Sequence, residues 1–141
     1  MKPRHFHLLT KEITKTMASE RTNDLKKLIQ TKLKTKYDNV FFEQGQQSKM
    51  FPSVVYNLRS VDLGDLSRKD YILEIDVWTK GESTYAIDNM TDIICDLLQA
   101  ENLPQTTILP VFYLIDSRAI LDEDKEINHR LIRFQVQLYD V

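Results

Sequence analysis

Apolar residues at Leu25, Leu28, Ile29 and Leu33 follow the i, i+3, i+4, i+8 spacing of one helical face, with Thr22 or Asn23 placed to cap the helix at its start. Lys26, Lys27, Lys32, Lys34 and Lys36 fill the other faces, which predicts an amphipathic helix packed on one side only. From Asn39 the period changes. Val40-Phe41-Phe42-Glu43 is a short β-rich run, Gly45 to Lys49 is a polar turn, and Pro52 opens a strand over Ser53–Ser60 with Val54, Tyr56 and Leu58 on one face. Residues 61–69 read as a charged loop between antiparallel strands. The strongest strand is Tyr71–Thr79, with Tyr71, Leu73, Ile75 and Val77 facing the core and Ile72, Glu74, Asp76 and Trp78 facing away.

Ser83 is placed as an N-cap for a second helix over Thr84–Ala100, whose apolar stripe is Ile87, Met90, Ile94, Leu97 and Leu98. Asp88, Asp92 and Asp96 form an acidic stripe beside it, and Asn102 and Pro104 stop the helix. Two strands follow, Val111–Asp116 and Ile127–Tyr139, joined by the acidic turn Asp122–Glu126. In the last, Ile132, Phe134, Val136 and Leu138 alternate with Arg133, Gln135 and Gln137. The order α-β-β-β-α-β-β, with helices on one face of a mostly antiparallel sheet of about five strands, is an α+β fold. Residues 22–141 form one domain and 1–21 an N-terminal extension or arm, with Leu8, Leu9, Ile13 and Met17 only weakly periodic.

The chain has 141 residues, 42% hydrophobic and 28% charged, enough for one core and no more. Its net charge of −2 hides a polarity: residues 1–36 carry ten Lys and Arg against three acids, and the remainder nine against eighteen. Such a split can steer and orient association between copies. The single Cys95 excludes an intrachain disulfide and is expected to pack rather than react. No apolar run approaches membrane-spanning length, and Leu8-Leu9 is too short a core for a signal peptide, so a soluble protein made in the cytoplasm is expected.

Three isolated glycines provide neither a phosphate loop nor a nucleophile elbow. His5, His7 and His129 lack the further ligands that a metal site needs, and no cofactor is implied. Glu74 and Asp76 point the same way from a central strand and Asp116 can lie nearby, the arrangement by which nucleases collect Mg²⁺. A polar outer face explains the same residues. Lys26, Lys27, Lys32 and Lys34 can touch phosphates but lack the side chains that read base edges.

The runs Val40–Gln44, Phe51–Leu58 and Leu73–Trp78, a helix containing Thr91-Asp92, Arg118, and the closing strand Arg130–Tyr139 resemble the tail terminator (tail completion) proteins of long-tailed bacteriophages and prophages. The resemblance spans about residues 22–140; the extension 1–21 departs from it, since related chains begin close to the first helix. What it implies is a non-enzymatic structural subunit without cofactor or metal, located in the neck of the virion after synthesis in the host bacterium. It would form a ring, six-fold by resemblance, at the head-proximal end of the tail tube. There it would halt tube polymerisation, meet the tail tube protein and the head connector or stopper, and let viral DNA pass through the lumen. The candidate subunit or partner contacts are Asp62, Asp65, Arg68, Lys69 and Asp70 in the first charged loop and Asp122, Glu123, Asp124, Lys125 and Glu126 at the second. Three alternatives stand beside it: a stopper or adaptor of the same apparatus, a metal-dependent nuclease using Glu74, Asp76 and Asp116, and a nucleic-acid-binding protein acting through its lysines.

Overall fold

Alternation along the last strand is met by burial: Ile132, Phe134, Val136 and Leu138 are all buried on one face of a five-stranded sheet. The computed structural model describes residues 21–43, 50–61, 68–81, 83–100 and 108–140. A helix, α1, over 21–34 is followed by β1 (Val40–Phe42), β2 (Ser53–Val61), β3 (Arg68–Lys80), α2 (Tyr85–Gln99), β4 (Ile108–Ile120) and β5 (Ile127–Asp140). The sheet order is β1-β2-β3-β5-β4, antiparallel except between β1 and β2. This is the α+β architecture expected from the pattern.

The helical stripes supply the second layer. Leu25, Ile29 and Leu33 of α1 and Ile87, Met90, Ile94 and Leu98 of α2 join Val54, Tyr56, Leu73, Ile75, Val77, Phe112 and Phe134 in one core cluster. Removing these side chains from water supplies the main favourable term of folding. β3 and β4 both run antiparallel to β5, which lies between them, so α2 connects two parallel strands across a third and packs on all three.

Three local expectations change and one is sharpened. Residues 21–23 are already helical, and Thr22 Oγ1 lies 2.8 Å from Tyr71 Oη instead of serving as a cap. β1, read only as a short β-rich run, pairs parallel with β2, Val40 with Val54, and the polar turn Gly45–Lys49 lies outside the described residues. The expected loop 61–69 is shorter, because β2 extends to Val61 and β3 begins at Arg68. β4 runs through Ile120, well past Asp116, because it follows β5 around a bulge between Leu114 and Asp116.

At the turn after β3, Gly81 adopts φ 138°, a backbone conformation that favours glycine. Its N–H donates to the Glu126 carbonyl at 2.7 Å and its own carbonyl accepts from Asn128 Nδ2 at 3.0 Å, which ties the start of α2 to the β4–β5 hairpin. The N-cap of α2 is Thr84 rather than Ser83, which lies one residue before it with its Oγ accepting from the Tyr85 N–H at 3.1 Å.

Candidate functional site on the outer sheet face and the acidic hairpin

The face of the sheet turned away from the helices is set by strand register. One row across it is Asn57, Glu74, Arg133, Asp116; the next is Val55, Asp76, Leu131, Arg118; the next is Ser53, Trp78, His129, Ile120. Arg133 donates through Nε to Asp116 Oδ1 at 2.9 Å and through Nη2 to Oδ2 at 2.7 Å, a bidentate pair, and Glu74 flanks the guanidinium from the other side. His129 Nε2 is 2.7 Å from Asp76 Oδ1, and the imidazole stacks on Trp78 with ring centroids 4.3 Å apart.

These contacts rearrange the carboxylate reading. Glu74 and Asp116 do share a row, but Arg133 stands between them, and Asp76 is turned to His129 in another row. Among the described residues, no group of three or more His, Cys, Asp and Glu side chains is arranged to hold a metal ion. Asp116 is paired with Arg133 and Asp76 with His129, contacts that a polar outer face makes.

The hydrogen bond from Arg133 holds the Asp116 carboxyl below its ordinary value, helped by the charges of Arg133 and Arg118. Because the folded value is depressed, the stabilisation from this pair is present above the ordinary carboxylate range and is lost as pH falls through the lowered midpoint. Replacing Arg133 by Gln is expected to return the Asp116 midpoint toward a normal aspartate, measurable by side-chain carboxyl NMR titration. An unchanged midpoint would show that the pair does not form in solution.

The lysine candidates divide in two. Lys26 is half-buried with Nζ 4.3 Å from the Phe42 ring centroid. Lys32 donates to the carbonyls of Ala100 at 3.0 Å and Leu98 at 3.4 Å, and burial lowers its pKa. It thereby neutralises the C-terminal end of α2, whose own last turn contains no basic residue. Only Lys27 and Lys34 of the four are exposed, so two of the lysines named for phosphate contact are engaged within the fold.

Asp62 and Asp65 lie outside the described residues, as do His5 and His7. Arg68, Lys69 and Asp70 are strand residues of β3 rather than loop residues. Lys69 is exposed, with Nζ 5.8 Å from the Tyr71 ring centroid. Asp70 is buried, its Oδ2 accepting from Gln135 Nε2 at 3.0 Å, because pairing with β5 continues to Tyr139 and carries it into the sheet.

Asp122–Glu126 form a fully exposed turn. Asp122 Oδ1 accepts from the Asp124 N–H and Asp124 Oδ1 from the Glu126 N–H, both at 2.9 Å, so two of the acids shape the turn. Glu123, Lys125 and Glu126 project from it into solvent. Cys95 packs against the core; burial, then Asp92 and Asp96, push its thiol pKa up, away from the reactive thiolate.

Local patterning finds the strand β4 but not its place at the edge of the sheet. Leu109, Tyr113, Leu114 and Ile115 are exposed in this strand, and Leu121 just beyond it is almost fully exposed. Residues 111–116 read as an ordinary core strand; the one local signal of an edge is Pro110, which lacks the N–H of a central strand.

No protein-family model matches the sequence, and no curated protein is significantly similar to it. Among solved structures, the chain is similar to one in the "Virion of native gene transfer agent (GTA) particle", with a TM-score of 0.62, 12% sequence identity, and coverage of 79% of this chain and 91% of that one. The two chains share a fold. At this identity the likeness concerns the arrangement of elements, not individual side chains.

Proposed function

We propose that this chain is a structural virion protein: the subunit of a ring, six-fold by the family resemblance, that caps the head-proximal end of a phage-type tail tube. In that role it halts tube polymerisation and presents the docking surface for the head connector, with DNA passing through the lumen. The observation that carries the reading is the fold likeness to a chain of a gene transfer agent particle, which extends over most of both molecules. Supporting it are an outer face whose acids are engaged by Arg133 and His129 and an edge strand studded with exposed apolar side chains. Function then comes from surface complementarity between neighbours, with apolar burial supplying energy and charge setting register.

The test mixes the purified full chain with tail tubes assembled in its absence and follows them by negative-stain microscopy. Added density at one end of each tube and an arrest of lengthening are expected. Tubes that keep growing with bare ends in excess protein would overturn the proposal. Density at the connector rather than at tube ends would instead assign the chain to the stopper or adaptor position.

A further inference from the structure

Among the described residues, β4 is bonded to β5 alone and forms an edge of the sheet. Leu109, Tyr113, Leu114 and Ile115 are 50%, 49%, 45% and 47% exposed; with Leu121 they make up five of the seven exposed large hydrophobics among the described residues, so this apolar surface is concentrated along one edge. Leu109 and Tyr113 stand on the outer face and Leu114 on the helix side, so apolar groups flank on both faces the strand edge that no described residue pairs. A long edge flanked in this way is a template for another strand.

The opposite edge is uneven. β1 pairs only with Val54–Tyr56, and beyond Tyr56 the described residues of β2 are bonded to β3 alone. Following the register across the sheet, Leu114 lies level with Phe134, Leu73 and Leu58, and Tyr113 lies level with Gln135, Ile72 and Arg59. The apolar part of one edge therefore stands level with the part of the other along which no further described strand pairs. β4 runs parallel to β3 and so antiparallel to β2, so a copy placed beside the next in the same orientation brings β4 against β2 as an antiparallel pair.

Charge follows the same alignment. Ile120 lies level with His129, Trp78 and Ser53, one residue from the row that contains Val40. The acidic turn Asp122–Glu126 at one edge therefore stands at the height of the end of α1 at the other, where Lys34 and Lys36 are exposed. On a helix whose buried stripe is Leu25, Ile29 and Leu33, Lys34 falls nearer to Gln30, which bonds the Val40 carbonyl, than to Lys32, which reaches α2. It thus projects on the outward flank.

We propose that the chain associates head to tail, β4 of one copy adding to Asn57–Val61 of the next while the acidic hairpin of the first meets Lys34 and Lys36 of the second. A β4-to-β4 contact would leave both basic helices at the far edges and give the hairpins no cation to meet. Head-to-tail contacts close into rings or continue as filaments. The inference deepens the ring reading above by naming its interface, yet it stands or falls on association between copies, whatever the tube does.

The test measures mass by sedimentation and light scattering for the full chain over increasing concentration. Species larger than a dimer are expected for the wild type. Glu123→Lys with Glu126→Lys, which spares the two aspartates that shape the turn, is expected to weaken association at least about tenfold, as is Lys34→Glu with Lys36→Glu, and mixing the two variants is expected to restore it. In a Cys95→Ser background, Leu58→Cys and Leu114→Cys proteins are expected to form a disulfide-linked pair when mixed and not when kept apart. A wild type monomeric at all concentrations, a closed dimer unmoved by either reversal, or equal crosslinking of Leu114→Cys with itself would overturn the inference. Circular dichroism of each variant identifies any loss due to unfolding, and the crosslinked pair then decides. Head-to-tail association without tube capping would sink the proposed function and leave this interface standing. Normal capping by the Glu123→Lys, Glu126→Lys protein with undiminished association would do the reverse.

Discussion

Phe134→Ala is expected to destabilise the domain by about 3–5 kcal/mol, the cost of deleting a large buried ring and leaving a cavity that its neighbours cannot close. Phe134 is fully buried in β5, between Leu73 of β3 and Leu114 of β4. Its ring meets Phe112 edge-on with centroids 6.3 Å apart, and both helices contribute to the cluster around it. Strands on both sides restrict backbone relaxation, so the site cannot collapse as a surface position would. Since domains of this size have total stabilities of roughly 5–15 kcal/mol, the variant should lie near the threshold of unfolding. Urea denaturation followed by circular dichroism checks it: the midpoint should fall with little change in slope. A loss below about 1 kcal/mol would mean that the two-layer core is packed differently.

Phe134 also marks where sequence was informative. From Ile132 to Leu138 every second residue is large and apolar while Arg133, Gln135 and Gln137 intervene, and a period of two permits only one face for each set. The stripes of α1 and α2 were legible for the same reason, since a period near 3.6 leaves one buried side. Residues whose role depends on a neighbouring strand were not legible. Asp70 reads as a loop acid because nothing within five residues announces that Gln135 will stand beside it. Glu74, Asp76 and Asp116 were found as a set, but the arrival of Arg133 between two of them depends on β5 inserting between β3 and β4. β1 is the extreme case: three residues contain too little pattern to distinguish parallel from antiparallel pairing.

The candidate surface shows the same division. Exposure of the acids at 122–126 was legible because consecutive charges cannot be buried without partners. The apolar edge of β4 was not, since Val111–Ile115 has the composition of an interior strand and only sheet order reveals that, among the described residues, one strand alone pairs with it. An apolar strand at an edge is a local conflict in an isolated subunit, and such conflicts mark functional surfaces when a neighbour resolves them.

Tyr56→Ala is expected to cost about 3–5 kcal/mol by the same cavity argument, while Tyr56→Phe should cost about 1–2 kcal/mol and change the alkaline limit of stability. Tyr56 is buried in β2 beneath α1, and its hydroxyl donates to Gln30 Oε1 at 2.7 Å. Gln30 Nε2 in turn donates to the Val40 carbonyl at 3.3 Å, and the Tyr56 ring lies 5.2 Å from that of Phe42. One phenol thus joins α1, β1 and β2. Phenylalanine keeps the ring contacts but leaves the Gln30 oxygen without its donor, so its cost isolates the hydrogen bond. Burial pushes the Tyr56 hydroxyl up to about 12, which means that the folded state holds this proton after an unfolded chain has released it. Stability from this group is therefore complete below the ordinary tyrosine value and declines as pH rises from there through about 12. Urea midpoints between neutral pH and pH 11 should fall less for Tyr56→Phe than for the wild type, because the variant has no proton to lose at that position. Parallel decline in the two proteins would assign the alkaline sensitivity to other groups and show that the phenol under α1 is hydrated.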